Sequence, residues 1–124
     1  MQPRNEQQLR AVIRRFVIKW KTNLFLGMWE VNTVIRDYIS RSDDNVLAEC
    51  DTDWKYLRAT VTFSYISLRG LDESEIEATV IHELLHIVID ELKEEQDYRN
   101  HAERVTSHLT NAMVYLDGLS KGKK

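Results

Sequence analysis

The stretch VIHELLHIVIDEL, residues 80–92, mixes two kinds of side chain in one segment. Ile76, Val80, Ile81, Leu84, Leu85, Val88 and Leu92 recur at the spacing of a broad apolar helix face. Asp72 followed by Glu75 supplies an Asp-x-x-Glu start, so the pattern predicts a helix from 72 to 95. Within it, His82, Glu83 and His86 fit H-E-x-x-H. The two histidines are four residues apart and lie one turn apart on one face. Imidazoles so placed can share one ion, each nitrogen at about 2.0–2.1 Å from zinc. On a helical wheel both fall opposite the centre of the apolar stripe, taken at Leu84 and Val88, and are expected to point away from the main core. A core histidine satisfied by local bonds fits this pairing poorly. Two surface histidines beside a surface glutamate are the competing reading, and the position of Glu83 between them favours the metal.

Glu83 is rotated away from the histidines and is the candidate general base. Zinc lowers the pKa of a bound water from 15.7 toward about 7, and a carboxylate beside it can take that proton and pass it to a leaving amine. A catalytic zinc usually keeps three protein ligands and one open position. HAERVTSHL, residues 101–109, offers His101, Glu103 and His108 for the third. His101 and His108 border the apolar stripe of their segment, and Glu103 lies nearly opposite its centre; periodicity does not choose among them.

Residues 97–119 form the last predicted helix, with Tyr98, Ala102, Val105, Leu109, Ala112, Met113 and Leu116 as its stripe and Gly118 as its stop. Residues 5–20 form the first, on Leu9, Val12, Ile13, Phe16, Val17 and Trp20, with Arg10, Arg14, Arg15 and Lys19 on a solvated outer face. Between them the β-branched and aromatic residues of 24–39 (one long strand, or a helix end followed by a strand), 46–50 and 54–68 predict strands, separated by polar turns at 41–45 and 51–53. Val61, Phe63 and Tyr65 share one face of the last strand, and Thr60, Thr62 and Ser64 the other. The order predicts an α+β fold: an N-terminal helix, a small twisted, mostly antiparallel sheet of three or four strands, and two further helices.

The 124 residues suit a single domain, 1–124, with a frayed tail at 121–124. Lone Cys50 excludes an internal disulfide and a cysteine zinc ribbon, and fits a reducing compartment. A polar N-terminus and the absence of a long apolar run predict neither signal peptide nor membrane span, hence a cytoplasmic protein. The formal charge of −3 argues against nucleic acid as a partner, despite the arginines of the first helix.

With YLRATVTFS (56–64), HELLH (82–86) and HAERVTSHL (101–109) in this order, the chain resembles the gluzincin-type HExxH metallopeptidases, closest to the minigluzincins and small phage-type metallopeptidases. The resemblance covers nearly the whole chain in order of elements. It implies one zinc ion held by His82, His86 and Glu103, with Glu83 as catalytic base and a peptide or protein as substrate. It also implies that Thr60, Thr62 and Ser64 lie on an edge strand that binds substrate by strand addition. A phage-encoded member would work in the host cytoplasm. The chain departs from the Asn-Glu-x-x-x-Asp signature of larger gluzincins, since Ala102 precedes Glu103 and Ser107 follows it by four. A three-histidine site using His101 or His108 is the alternative. Tyr98, Tyr115, His101 and His108 are candidate donors to an oxyanion, and Asp90 is a candidate to orient a ligand histidine. The competing functional class is a zinc-binding domain without catalysis, used for stability or partner docking.

Overall fold

The computed structural model describes residues 2–39, 46–53, 55–89 and 96–122, with the side chains of 96–102 and 122 excepted. Seven elements follow one another: α1 (Glu6–Asn23), β1 (Glu30–Arg36), β2 (Ala48–Asp53), β3 (Arg58–Ser64), a short α2 (Tyr65–Leu68), α3 (Glu73–Ile89) and α4 (Gln96–Gly122). The architecture is α+β, with the helices on one face of a three-stranded sheet. Among the described residues no helix is long and apolar enough to cross a membrane.

Asn5 opens α1 with a reciprocal cap. Its side chain accepts from the Gln8 amide at 2.8 Å, and the Gln8 side chain accepts from the Asn5 amide at 2.9 Å. Leu9, Ile13, Phe16, Val17 and Trp20 are buried along one face, as the spacing predicts. The helix ends in a two-bond turn, Phe25 N–H to the Thr22 carbonyl (3.1 Å) and Leu26 N–H to the Lys21 carbonyl (2.8 Å). That turn needs a left-handed residue, and Phe25 takes it, with φ 58°. A phenylalanine here costs backbone energy, but its ring projects into solvent and meets no steric obstacle. The turn consumes residues 24–29, so the strand expected over 24–39 is confined to β1.

The sheet differs from expectation in its pairing. Its order is β1-β3-β2, with β1 parallel and β2 antiparallel to β3. The chain lays β2 on the far side of β3 rather than between the other two. β1 and β3 therefore run the same way, and the sheet is mixed rather than mostly antiparallel. β3 is the central strand, bonded on both sides. The edge-strand role expected of Thr60, Thr62 and Ser64 is therefore overturned: their backbone is already paired. They also sit on the wrong face. Val61 and Phe63 pair with Cys50 and Ala48 on the helix-covered side, while Thr60 and Thr62 pair with Asp51 and Glu49 on the other. The segment expected to stay extended to Leu68 turns into α2 instead, because Ser64 Oγ caps the Ser67 amide.

Asp72 caps α3 through the Glu75 amide at 2.9 Å. The helix packs against α1, α4 and β2, and Ile76, Val80, Ile81, Leu84 and Ile87 are fully or nearly fully buried. Its described part ends at Ile89; the continuation expected over 90–95, with Asp90, lies outside the described residues. α4 runs through Gly118 to Gly122, so Gly118 is not a stop. The end of α4, including part of the expected tail, is helical because Asp117 and Lys121 are held by ion pairs.

Those pairs form a node joining three helices. The buried Glu77 carboxylate of α3 accepts from Lys19 Nζ and Trp20 Nε1 of α1, both at 2.8 Å. Lys19 also reaches Asp117 of α4 at 3.0 Å, and Lys121 bonds Asp117 at 3.1 Å. The basic face of α1 is thus used within the fold, with Arg15 on Glu73 at 2.6 Å as well. Burial pushes the Glu77 and Asp117 carboxyls up, but their bonds to Lys19, with Trp20 and Lys121, outweigh it and hold both below the ordinary range. Burial likewise disfavours charged Lys19, yet its two carboxylate partners leave its pKa raised. The two carboxylates contribute stability that is present above their unfolded values and lost as pH falls through the depressed folded ones. The lysine's contribution is lost only at strongly alkaline pH. Glu77→Ala is expected to cost about 2–4 kcal/mol, since it strands a buried indole N–H and takes from Lys19 one of its two carboxylate partners. Urea denaturation at neutral pH measures this, and the difference from the parent should shrink as pH falls below the ordinary carboxylate range. A loss under about 0.5 kcal/mol, typical of a surface pair, would contradict the node.

Candidate metal centre

Helix α3 is buried on more sides than its sequence pattern implies. The stripe expected to centre on Leu84 and Val88 is displaced: Val88 is 47% exposed and Ile87 is fully buried. The buried arc instead centres near Val80 and Ile87, because α1, the sheet and α4 cover it from three directions. The histidines therefore do not face open solvent. The His86 side chain is 8% exposed and that of His82 22%. Both lie on a strip, with Glu75, Ala78 and Thr79, that floors a groove between β2 and α4.

Glu103 of α4 reaches across this groove. Its Oε1 lies 2.7 Å from His82 Nε2 and its Oε2 3.0 Å from His86 Nε2. The two Nε2 atoms are 3.2 Å apart, and the rings meet edge-on with centroids 4.9 Å apart. One donor atom from each of the three residues falls within 4.8 Å of the others. The helical register explains the convergence: one turn separates the histidines, and α4 packs on α3 so that Glu103 faces both.

This donor set suits a divalent cation. Two ligand atoms at about 2.0–2.1 Å from a tetrahedral zinc lie about 3.4 Å apart, close to the spacing of the two imidazole nitrogens. Each Nε2 can either donate its hydrogen to one oxygen of Glu103 or present a lone pair to an ion. One cation among the three would let every donor present a lone pair. Two imidazoles and one carboxylate form a donor set that catalytic zinc sites use.

Glu83 is 6% exposed and lines both cavities that meet at the triad. The larger, about 530 Å³, runs from His82, Glu83 and Glu103 back along α3 to Glu75 and Leu71. The smaller, about 270 Å³, opens on the far side of the histidines against Ala48, Glu49 and Cys50.

No family model, curated protein or solved structure matches this chain.

The structure thus brings His82, Glu83, His86 and Glu103 into one cleft. His108 is exposed and stands outside the donor group. The side chains of His101 and Tyr98 lie outside the described residues. Tyr115 is exposed and lines neither cavity at the triad. Thr60, Thr62 and Ser64 line neither as well. The edge strand beside the site is β2, whose Ala48 and Cys50 face the helices. Residues 46–50 carry a strand signal in the sequence, but nothing there ties them to the histidines. Ser107, Thr110 and Asn111 also line the groove. They follow Glu103 at i+4, i+7 and i+8, a helical spacing that places them on one polar strip of α4.

Proposed function

We propose that the chain is a zinc-dependent peptidase of the gluzincin type. The observation that supports it most is the meeting of His82, His86 and Glu103, drawn from two helices, with a buried carboxylate, Glu83, on the same cavity wall. His82, His86 and Glu103 would hold the ion. When bound, zinc supplies Lewis-acid polarisation of a carbonyl and a lowered pKa for water. Glu83, set in a largely dry wall, takes the proton of the attacking water and delivers it to the departing amine. The groove lies open along β2, an edge strand of the sheet, which leaves room for an extended peptide. A cytoplasmic setting goes with this reading, since a lone cysteine suits a reducing compartment.

The experiment is metal removal and return. Protein freed of metal by a chelator and then titrated with zinc is expected to take up one ion per chain. It should gain hydrolysis of a mixed peptide library in proportion to occupancy, read by calorimetry and mass spectrometry. Failure to take up zinc overturns the reading. Uptake without any hydrolysis leaves the non-catalytic zinc domain in its place.

A further inference from the structure

The groove that leads away from the triad carries charge of one sign. Along α3 the strip runs Glu75, Thr79, His82, His86, so Glu75 stands two turns before the first histidine, about 10 Å along the axis. Between that carboxylate and the triad the walls are apolar or neutral: Leu47 and Ala48 on one side, Ser107 and Asn111 on the other. Glu49 adds a further carboxylate at the smaller cavity. Among the described residues no lysine or arginine lines either cavity.

An ion of charge +2 at the triad is matched by Glu83 and Glu103, which leaves Glu75, exposed in the first turn of α3, as a separate negative charge at the far end. Asp72 reinforces it there: its carboxylate is fixed beside the Glu75 amide and the Ser74 hydroxyl. An extended chain advances about 3.3 Å per residue, so about 10 Å corresponds to about three residues. We propose that Glu75 is a specificity residue, and that the groove takes an extended peptide with a lysine or arginine within about three residues of the bond at the triad. The proposal rests on the peptidase reading for which bond is cut, but not for binding. An ammonium about 4 Å from a surface carboxylate gains enough to alter affinity about five- to fiftyfold, and the gain falls with added salt.

The test uses zinc-loaded full-length protein and fluorescently labelled decapeptides that carry Lys, Gln or Glu at one scanned position in an alanine-leucine background. Affinity is read by anisotropy and cleavage by mass spectrometry. Lys peptides are expected to bind about five- to fiftyfold more tightly than Glu peptides at one or two scanned positions. Glu75→Gln should collapse that ratio to within about twofold, and Glu75→Lys should reverse it. Equal binding of Lys and Glu peptides, or a preference that survives Glu75→Gln, overturns the assignment of Glu75 even if the peptides are cleaved. Lys-selective binding that depends on Glu75, without cleavage of any peptide, supports this inference and removes the peptidase reading. No binding of any peptide overturns both.

Discussion

Glu83→Gln is expected to lower kcat/KM on any cleaved peptide by about 10²–10⁴-fold, the usual contribution of a positioned acid–base group, while zinc binds as before. The geometry makes this a clean substitution. Glu83 lies on the cavity wall beside His82 but is not one of the three residues whose donor atoms converge. Its side chain is buried, so the isosteric amide keeps the packing while it removes the charge and the capacity to take a proton. Zinc affinity measured by chelator competition should stay within about threefold, less than the 10–100-fold that even a supporting group costs when lost. Activity within about tenfold of the parent would remove Glu83 from the base role. A parallel loss of zinc would show instead that Glu83 serves binding.

Glu103→Ala should weaken zinc binding by at least about 100-fold, since loss of a ligand exceeds the 10–100-fold cost of losing a supporting group. His86→Ala should do the same. His108→Ala should leave affinity unchanged, because His108 stands apart from the donor group. The Glu103 side chain is 58% exposed, so its removal disturbs little packing and the loss reads as ligation. Calorimetric titration of the three variants decides the matter. A Glu103→Ala protein that keeps parental zinc affinity would return the third position to a histidine.

The apolar face of α1 was legible in the sequence because it depends on local spacing alone, whereas the stripes expected on α3 and α4 were displaced, with Val88, Val105 and Leu116 exposed and Thr106 and Thr110 buried. Leu9, Ile13, Phe16, Val17 and Trp20 bury themselves where the 3.6-residue period puts them. The order of strands was not legible. Nothing local in 46–53 states that β2 lies beyond β3, and that choice sets which strands are the free edges. The same limit hid the Glu77 node, in which the bonds from α1 to α3 and α4 join residues 57 to 98 positions apart. On its own segment Glu77 reads as one acid among several. The His82 and His86 pair was legible because its geometry is intrahelical. The approach of Glu103 was not, since wheel position alone left three candidates and only the packing of α4 on α3 distinguishes Glu103 from His108.

The fastenings of α4 have a mechanical consequence. Its C-terminal part is clamped to α1 through Asp117 and to α3 through Lys121, whereas Glu103 touches α3 at a largely solvent-exposed tip. The rigid rod between Glu103 and Asp117 makes a lever arm of about 21 Å. A tilt of about 10° pivoting at Asp117 would carry the Glu103 carboxylate about 4 Å, enough to part it from both imidazoles. Ligand spacing at one end of the molecule therefore depends on the seating of Thr106, Leu109, Thr110 and Met113 along the rod, and on the lysine that grips two acids at the other end.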